Sequence, residues 1–272
     1  MCSRFGRHEN SNRTIDFQDR SNRITSLGMK SIILCISVVF FCLPANAGLA
    51  ASDSKNLSWT ERVITEDELL SLEKSNPALD INTTCEILAR LNTKESFYIR
   101  DDVRHGRKIK VPNDFSAYKS WSPLPIQLPP ALRFPRFILI VKDIPFLGWY
   151  ESGVLVDDSQ ACIGNSAQDT RAGFYHIEDK DPEHVSRSYP NDFGKPAWMP
   201  FSMRIYETVY IHAGNVFGAR CSHGCVILPI EKAEMLFQWT EQKTVVLVLQ
   251  SLNDLEKTAP GFSNSAPNQN DS

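Results

Sequence analysis

From residue 137 onward the chain is built of short apolar runs separated by turn residues. The runs F-I-L-I-V (137–141), W-Y-E-S-G-V-L-V (149–156), A-G-F-Y-H-I (172–177), S-M-R-I-Y (202–206), T-V-Y-I-H (208–212) and T-V-V-L-V-L (244–249) are rich in β-branched and aromatic residues. Such runs predict strands. One stretch breaks the rhythm: E-K-A-E-M-L-F-Q-W (231–239), just after Pro229, predicts a helix. Many short strands with little helix predict a mainly β fold, a sandwich or a barrel.

The pattern ahead of residue 137 is different. Residues 60–76 predict a helix with Thr65 as N-cap before E-D-E, and 80–92 a second one with Ile87, Leu88 and Leu91 on its apolar face. A small α+β N-terminal subdomain over 48–112 follows from these two elements and the apolar segment ending at Pro112. Residues 113–135 hold Pro123, Pro125, Pro129, Pro130 and Pro135, and read as a stiff, extended linker in which Trp121 packs onto a neighbouring domain. The end of the chain, 251–272, turns to Ser, Asn, Pro and Gln and predicts a disordered tail.

Residues 1–28 are polar and without periodicity. Met29-Lys30, a short apolar core (31–44) and Ala45-Asn46-Ala47 then describe a secretory signal peptide. The expectation is a start at Met29, cleavage after Ala47 and export to the periplasm or cell envelope. The remaining 225 residues would carry 23 basic and 29 acidic side chains, compared with 29 and 32 in the whole chain. That balance leaves no electrostatic footprint for nucleic acid. Export permits disulfides. Of the seven cysteines, Cys85, Cys162, Cys221 and Cys225 lie beyond the leader. A Cys85–Cys162 bridge is conceivable, Cys221 reads as a bystander that could oxidise with Cys225, and Cys225 is expected to stay free.

The candidate chemistry lies in I-H-A-G-N-V-F-G-A-R-C-S-H-G-C-V-I-L-P (211–229). His212 closes a strand-like run, and nine residues separate it from Ser222-His223-Gly224-Cys225. A thiol and an imidazole are the two groups a cysteine nucleophile needs. A glycine just before the cysteine lets the backbone bend sharply, and adjacent N–H groups could stabilise an oxyanion. Singly, a Cys or a His is more often a packing residue than a catalyst. His176 and His184 have no cysteine or acidic partner at ligand spacing and read as surface or core residues, so no metal is expected.

The motif resembles that of the L,D-transpeptidases, the YkuD-like family, in which a His, a variable spacer and Ser/Thr-His-Gly-Cys recur. The similarity extends through W-M-P-F-S-M-R-I (198–205), T-R-A-G-F-Y-H-I-E-D-K-D (170–181) and F-I-L-I-V (137–141), so it covers about 136–250. Upstream, A-R-L-N and G-R-K-I-K-V-P resemble the second half of a LysM-type glycan-binding module, although a small packing subdomain fits those residues equally.

The resemblance implies a β-sandwich catalytic domain over 136–250 and a cysteine acyltransferase that needs no cofactor. Cys225 would be the nucleophile and His212 the base, its ring oriented by the main-chain carbonyl of Ala213. The N–H groups of Gly224 and Cys225 would be oxyanion donors, with Ser222 fixing the turn and His223 lining the pocket. Arg204 and Arg220 would be candidates to bind a stem carboxylate, Arg204 otherwise forming a surface salt bridge. The implied partners are tetrapeptide stems of peptidoglycan and an amine acceptor on a second stem or an envelope protein. Two alternatives stand beside this: an L,D-carboxypeptidase with water as acceptor, and a non-catalytic wall-binding protein. The family usually places Arg or Asn two residues after the cysteine, and this chain has Ile227. An activated Cys225 would alkylate below the pH of an ordinary thiol.

Overall fold

The computed structural model describes residues 57–165, 169–190, 193–255 and 257–258, with the side chains of 187–189 left aside. The chain separates into two compact units, 1–50 and 51–272. The first, with the expected leader, lies outside the described residues. Among the described residues no helix is long and apolar enough to cross a membrane.

The described residues open with strand β1 (Trp59–Arg62), then α1 (Glu66–Ser75), α2 (Ile81–Asn92), α3 (Ser96–Arg104) and β2 (Ile109–Pro112), which returns antiparallel to β1. Local chemistry sets the helix ends. The Thr65 side chain accepts the Glu68 N–H, three acidic residues occupy the first turn of α1, and Lys74 sits in its last. Asp80 caps α2 in the same way through the Thr83 N–H. One apolar cluster joins these elements through Ile64, Leu69, Ile87, Leu88, Ile99, Val103 and Val111.

The segment expected as an extended linker is packed instead. It carries α4 (Phe115–Tyr118) and a 3-10 turn at Pro129–Ala131, and it buries Leu124, Leu128, Ala131 and Phe134. Its prolines stiffen the backbone, while the apolar residues between them hold it against a sheet. Trp121 touches both neighbouring clusters and meets Phe146 edge-on at 6.0 Å.

Then come β3 (Arg136–Val141), β4 (Phe146–Glu151), β5 (Val154–Gln160), β6 (Gly173–His176), β7 (Asp179–Asp181), β8 (Val185–Pro190), β9 (Pro196–Trp198), β10 (Ser202–Tyr206), β11 (Val209–Ala213), β12 (Val226–Leu228), α5 (Ile230–Trp239) and β13 (Val245–Leu249). They form a five-stranded sheet in the order β5-β4-β3-β13-β6, a four-stranded sheet in the order β12-β11-β10-β7, and the hairpin β8-β9. The architecture is a mainly β sandwich with a small α+β part ahead of it.

The run 149–156, expected as one strand, is the end of β4, a turn and the start of β5. Ser152 and Gly153 have φ of 47° and 75°. Two successive residues in that region make the primed turn that matches strand twist. A Cβ on Gly153 would also lie 2.9 Å from the Leu128 carbonyl oxygen. At the other end, the expected disorder from 251 is interrupted by a 3-10 turn at Leu252–Asp254 with a Ser251 capping box, and Leu252 and Leu255 pack on the core. Residue 256 and the tail after Thr258 lie outside the described residues.

Two apolar layers flank the five-stranded sheet. Ile138, Ile140, Leu147, Trp149, Val246 and Val248 face the four-stranded sheet and α5. Phe137, Leu139, Val141, Tyr150, Val245 and Leu247 face the packed 113–135 segment.

Candidate active site

Side chains on neighbouring strands share a face when their positions match in register. The parallel pair β11–β12 aligns Ile211 with Val226, His212 with Ile227 and Ala213 with Leu228. Ile211, Val226, Ala213 and Leu228 enter the core. Tyr210, His212 and Ile227 therefore share the opposite face. The same register continued by one step sets Cys225 beside Tyr210, on that face too. On the other side of β11, Arg204 of β10 pairs with Tyr210.

His212 is 7% exposed, and its Nδ1 lies 2.8 Å from the Ala213 carbonyl oxygen. Nδ1–H donates in that bond, which leaves the lone pair on Nε2. Burial pushes the His212 pKa down to about 4, the His184 imidazole adds to the effect, and the bond to Ala213 opposes it. The ring is neutral at ordinary pH.

Cys225 is a free, half-buried thiol. Burial pushes its pKa up, while the main chain of Tyr210 acts the other way. This direction is opposite to the low-pH alkylation expected of an activated thiol. At rest the site holds a neutral thiol and a neutral imidazole, because desolvation disfavours both charged forms.

The segment around the thiol is cross-braced. The Ser222 hydroxyl donates to the Cys225 carbonyl at 2.6 Å and accepts the Gly224 N–H at 3.1 Å. Gly224 has φ of 117°, where a side chain would be strained. The Thr170 hydroxyl donates to the Gly224 carbonyl at 2.8 Å and accepts the Gly164 N–H at 3.0 Å. Cys162 and Cys221 form a disulfide. Cys162 also exchanges both main-chain hydrogen bonds with Ile227, at 2.9 and 2.8 Å. This corrects two readings of the cysteines. Cys221 is not a bystander, and Cys85 does not bridge to Cys162, because Cys85 is buried in the helical cluster of the N-terminal part.

The structure places the other candidate residues as follows. Ala213 is buried and supplies the carbonyl that holds His212. The Gly224 N–H, a candidate oxyanion donor, is donated to Ser222 in this state. His223 is exposed. Arg204 is paired with Glu178 at 2.8 Å. Arg220 reaches Asp169 and the carbonyl of Gly164, each at 3.3 Å, and so braces the neighbouring loop. Both arginines already hold a carboxylate. Ile227 packs over Gly214, where a Cβ would come within 2.9 Å of its Cγ2.

Two site residues escaped sequence reasoning. His184 does have an acidic partner: its Nδ1 lies 3.2 Å from Asp181 Oδ2, three positions back across a turn. Its ring stacks on Tyr210 at 4.6 Å. D-x-x-H spacing across Pro182 carried that signal. Thr170 had no local signal, because its role arises 54 residues later at Gly224. Among the described residues no group of three potential metal ligands is found.

Residues 135–248 match the family model of the L,D-transpeptidase catalytic domain, YkuD. No curated protein matches the chain. Among solved structures, an L,D-transpeptidase from Mycobacterium smegmatis is 20% identical over 42% of this chain and 58% of its own, with a TM-score of 0.39. L,D-transpeptidase 1 of Mycobacterium tuberculosis is 20% identical over 42% and 61%, at 0.37. An L,D-transpeptidase from Stackebrandtia nassauensis is 17% identical over 50% and 64%, at 0.41. The chain thus spans about three fifths of the length of these structures.

Proposed function

From the premise that residues 135–248 match the L,D-transpeptidase catalytic domain, we propose that the protein is a peptidoglycan L,D-transpeptidase acting through an acyl-enzyme on Cys225. The observation that carries this reading is the placement, by strand register, of a free Cys225 and a buried His212 on one sheet face, the imidazole held by Ala213 with Nε2 left as a base.

Burial keeps the thiol and the imidazole neutral at rest, so the thiol proton has to pass to His212 in the course of attack. Cys225 Sγ attacks the carbonyl between the L-centre of the stem's diamino acid and the terminal D-Ala, and its proton passes to His212 Nε2. The tetrahedral oxyanion is met by the main-chain N–H of Cys225, joined by that of Gly224 once it leaves the Ser222 hydroxyl. Collapse breaks the C–N bond, His212 returns the proton to the leaving amine of D-Ala, and a thioester remains on Cys225. An amine from a second stem or an envelope protein then gives its proton to His212 and attacks the thioester, restoring the thiol. Water in that last step makes the enzyme an L,D-carboxypeptidase.

Export is part of the reading. It rests on the leader-like residues 29–47 and is supported by the Cys162–Cys221 disulfide, which suits an oxidising compartment. Two observations favour a non-catalytic wall-binding protein: Ile227 replaces the polar residue usual in the family, and both candidate arginines are already paired.

The test is mass spectrometry of residues 48–272 incubated with disaccharide-tetrapeptides, beside Cys225→Ala. Loss of D-Ala with a crosslinked dimer is expected. Cys225→Ala should lower the rate by at least about a thousand-fold, as removal of a covalent nucleophile does. D-Ala loss without dimer marks hydrolysis. No D-Ala loss from the folded wild-type protein refutes the enzyme reading.

A further inference from the structure

The loop Gly214–Cys225 joins the proposed base to the proposed nucleophile, and it is held at three places. At its start the Gly214 N–H donates to the Leu228 carbonyl at 3.0 Å. Towards its end the Ile163 N–H donates to the Ala219 carbonyl at 3.1 Å, and Cys221 is tied to Cys162. The middle is held from the N-terminal subdomain. There the Glu95 N–H donates to the Val216 carbonyl at 2.8 Å, and the Val216 N–H donates to Glu95 Oε1 at 2.8 Å.

Glu95 stands at the head of α3, yet its side chain makes no capping bond to that helix. The carboxylate serves a loop 121 residues away instead. Val216 is fully buried, so its N–H and C=O have no water to replace Glu95. Two further contacts close the same seam: Tyr98 meets Phe217 edge-on at 6.2 Å, and Gln160 Nε2 donates to the Lys94 carbonyl at 3.0 Å.

We infer that Glu95 is a positioning residue of the acyl-transfer site, through which the N-terminal subdomain sets the path of the loop between His212 and Cys225. The inference rests on the transpeptidase reading for its kinetic consequence and on the geometry alone for its structural one. The loop leaves β11 immediately after Ala213, whose carbonyl orients His212. Val216 stands three residues from that carbonyl and four from the base, and the braced 219–225 segment joins it to the thiol.

Glu95→Ala and Glu95→Gln in the 48–272 chain separate a clamp from a merely acidic surface. Three readouts are taken: turnover of disaccharide-tetrapeptide, hydrogen exchange of peptides covering 214–220, and the rate of Cys225 alkylation by iodoacetamide. In Glu95→Ala the loop should exchange faster, alkylation should change, and kcat should fall on the order of ten- to a hundred-fold with KM little moved. Glu95→Gln keeps an oxygen that accepts the Val216 N–H and should stay near wild type in all three. Unchanged exchange in Glu95→Ala, or a Gln variant as impaired as the Ala variant, overturns the inference. Should Glu95→Ala fail to fold, Glu95→Asp, one methylene too short to reach, must show the same accelerated exchange. If the wild-type chain turns nothing over, the functional reading fails, while exchange and alkylation still decide the clamp.

Discussion

The two sheets of the sandwich are built from similar residues and differ in what covers them. The five-stranded sheet has apolar layers on both faces, one shared with its partner sheet and one supplied by the packed 113–135 segment. The four-stranded sheet buries one face, through Met203, Ile205, Ile211, Val226 and Leu228, and carries Arg204, Tyr210 and His212 on the other. A sheet covered on both sides reads as continuous apolar runs, and one covered on a single side reads as alternation. Packing alone accounts for every position of β13. In β11 it accounts for every second one, and the positions between are available to chemistry.

The comparison can be broken by mutation. Leu247→Ala, in the fully buried β13, should cost about 2–5 kcal/mol of stability by cavity formation while leaving the turnover of each folded molecule unchanged. Urea unfolding with active-site titration checks both halves. Lost turnover at intact fold would mean that the two sheets are not separable.

A smaller effect is expected on the functional face as pH falls. The folded protein holds His212 neutral down to about 4, against an ordinary value of 6.5. Unfolded chains take up a proton on this ring from 6.5 downwards, so stability is complete above that pH and declines towards 4. The loss should approach about 3 kcal/mol. His212→Gln cannot titrate and should flatten that part of the curve in denaturant melts between the two values. A curve that keeps its slope would assign the loss to other groups.

The smallest effect belongs to the turn that carries the thiol. Ser222→Ala removes one hydroxyl that both donates to Cys225 and accepts from Gly224. A cost of about 1 kcal/mol in thermal unfolding is expected, as for a single hydrogen bond. The rate of acyl transfer should fall more than that stability change suggests.

What the sequence disclosed follows the same division. The runs 137–141 and 244–249 are fully buried, so hydrophobicity alone marks them as strands. His212 and Cys225 were legible as a pair because their spacing sits in one local motif. The Ser152-Gly153 turn was hidden by the apolar residues on both sides of it, since a two-residue turn hardly interrupts the pattern. The Cys162–Cys221 disulfide, Thr170 against Gly224, and Glu95 against Val216 join positions 54 or more residues apart. No local propensity records contacts of that kind. The 113–135 segment was misjudged because its proline content suggests stiffness and extension, whereas the leucines and phenylalanine between the prolines decide that it packs.

One feature of the four-stranded sheet bears on how such a site can be altered. β11 and β12 lie side by side and run in the same direction. Neighbouring strands of that kind cannot be joined by a tight hairpin turn and need a crossover of about a dozen residues or more. Gly214–Cys225 supplies it, and the ladder, not the length of the crossover, keeps His212 beside Ile227. Strand alignment therefore does not depend on the length of the crossover, while the path of the crossover at Val216 is set separately by Glu95. Gly218 lies within the crossover, with nothing within 4 Å of the position its Cβ would take. A small side chain introduced there would report on the crossover from beside the clamp, with Cys225 as the second labelling position at its end.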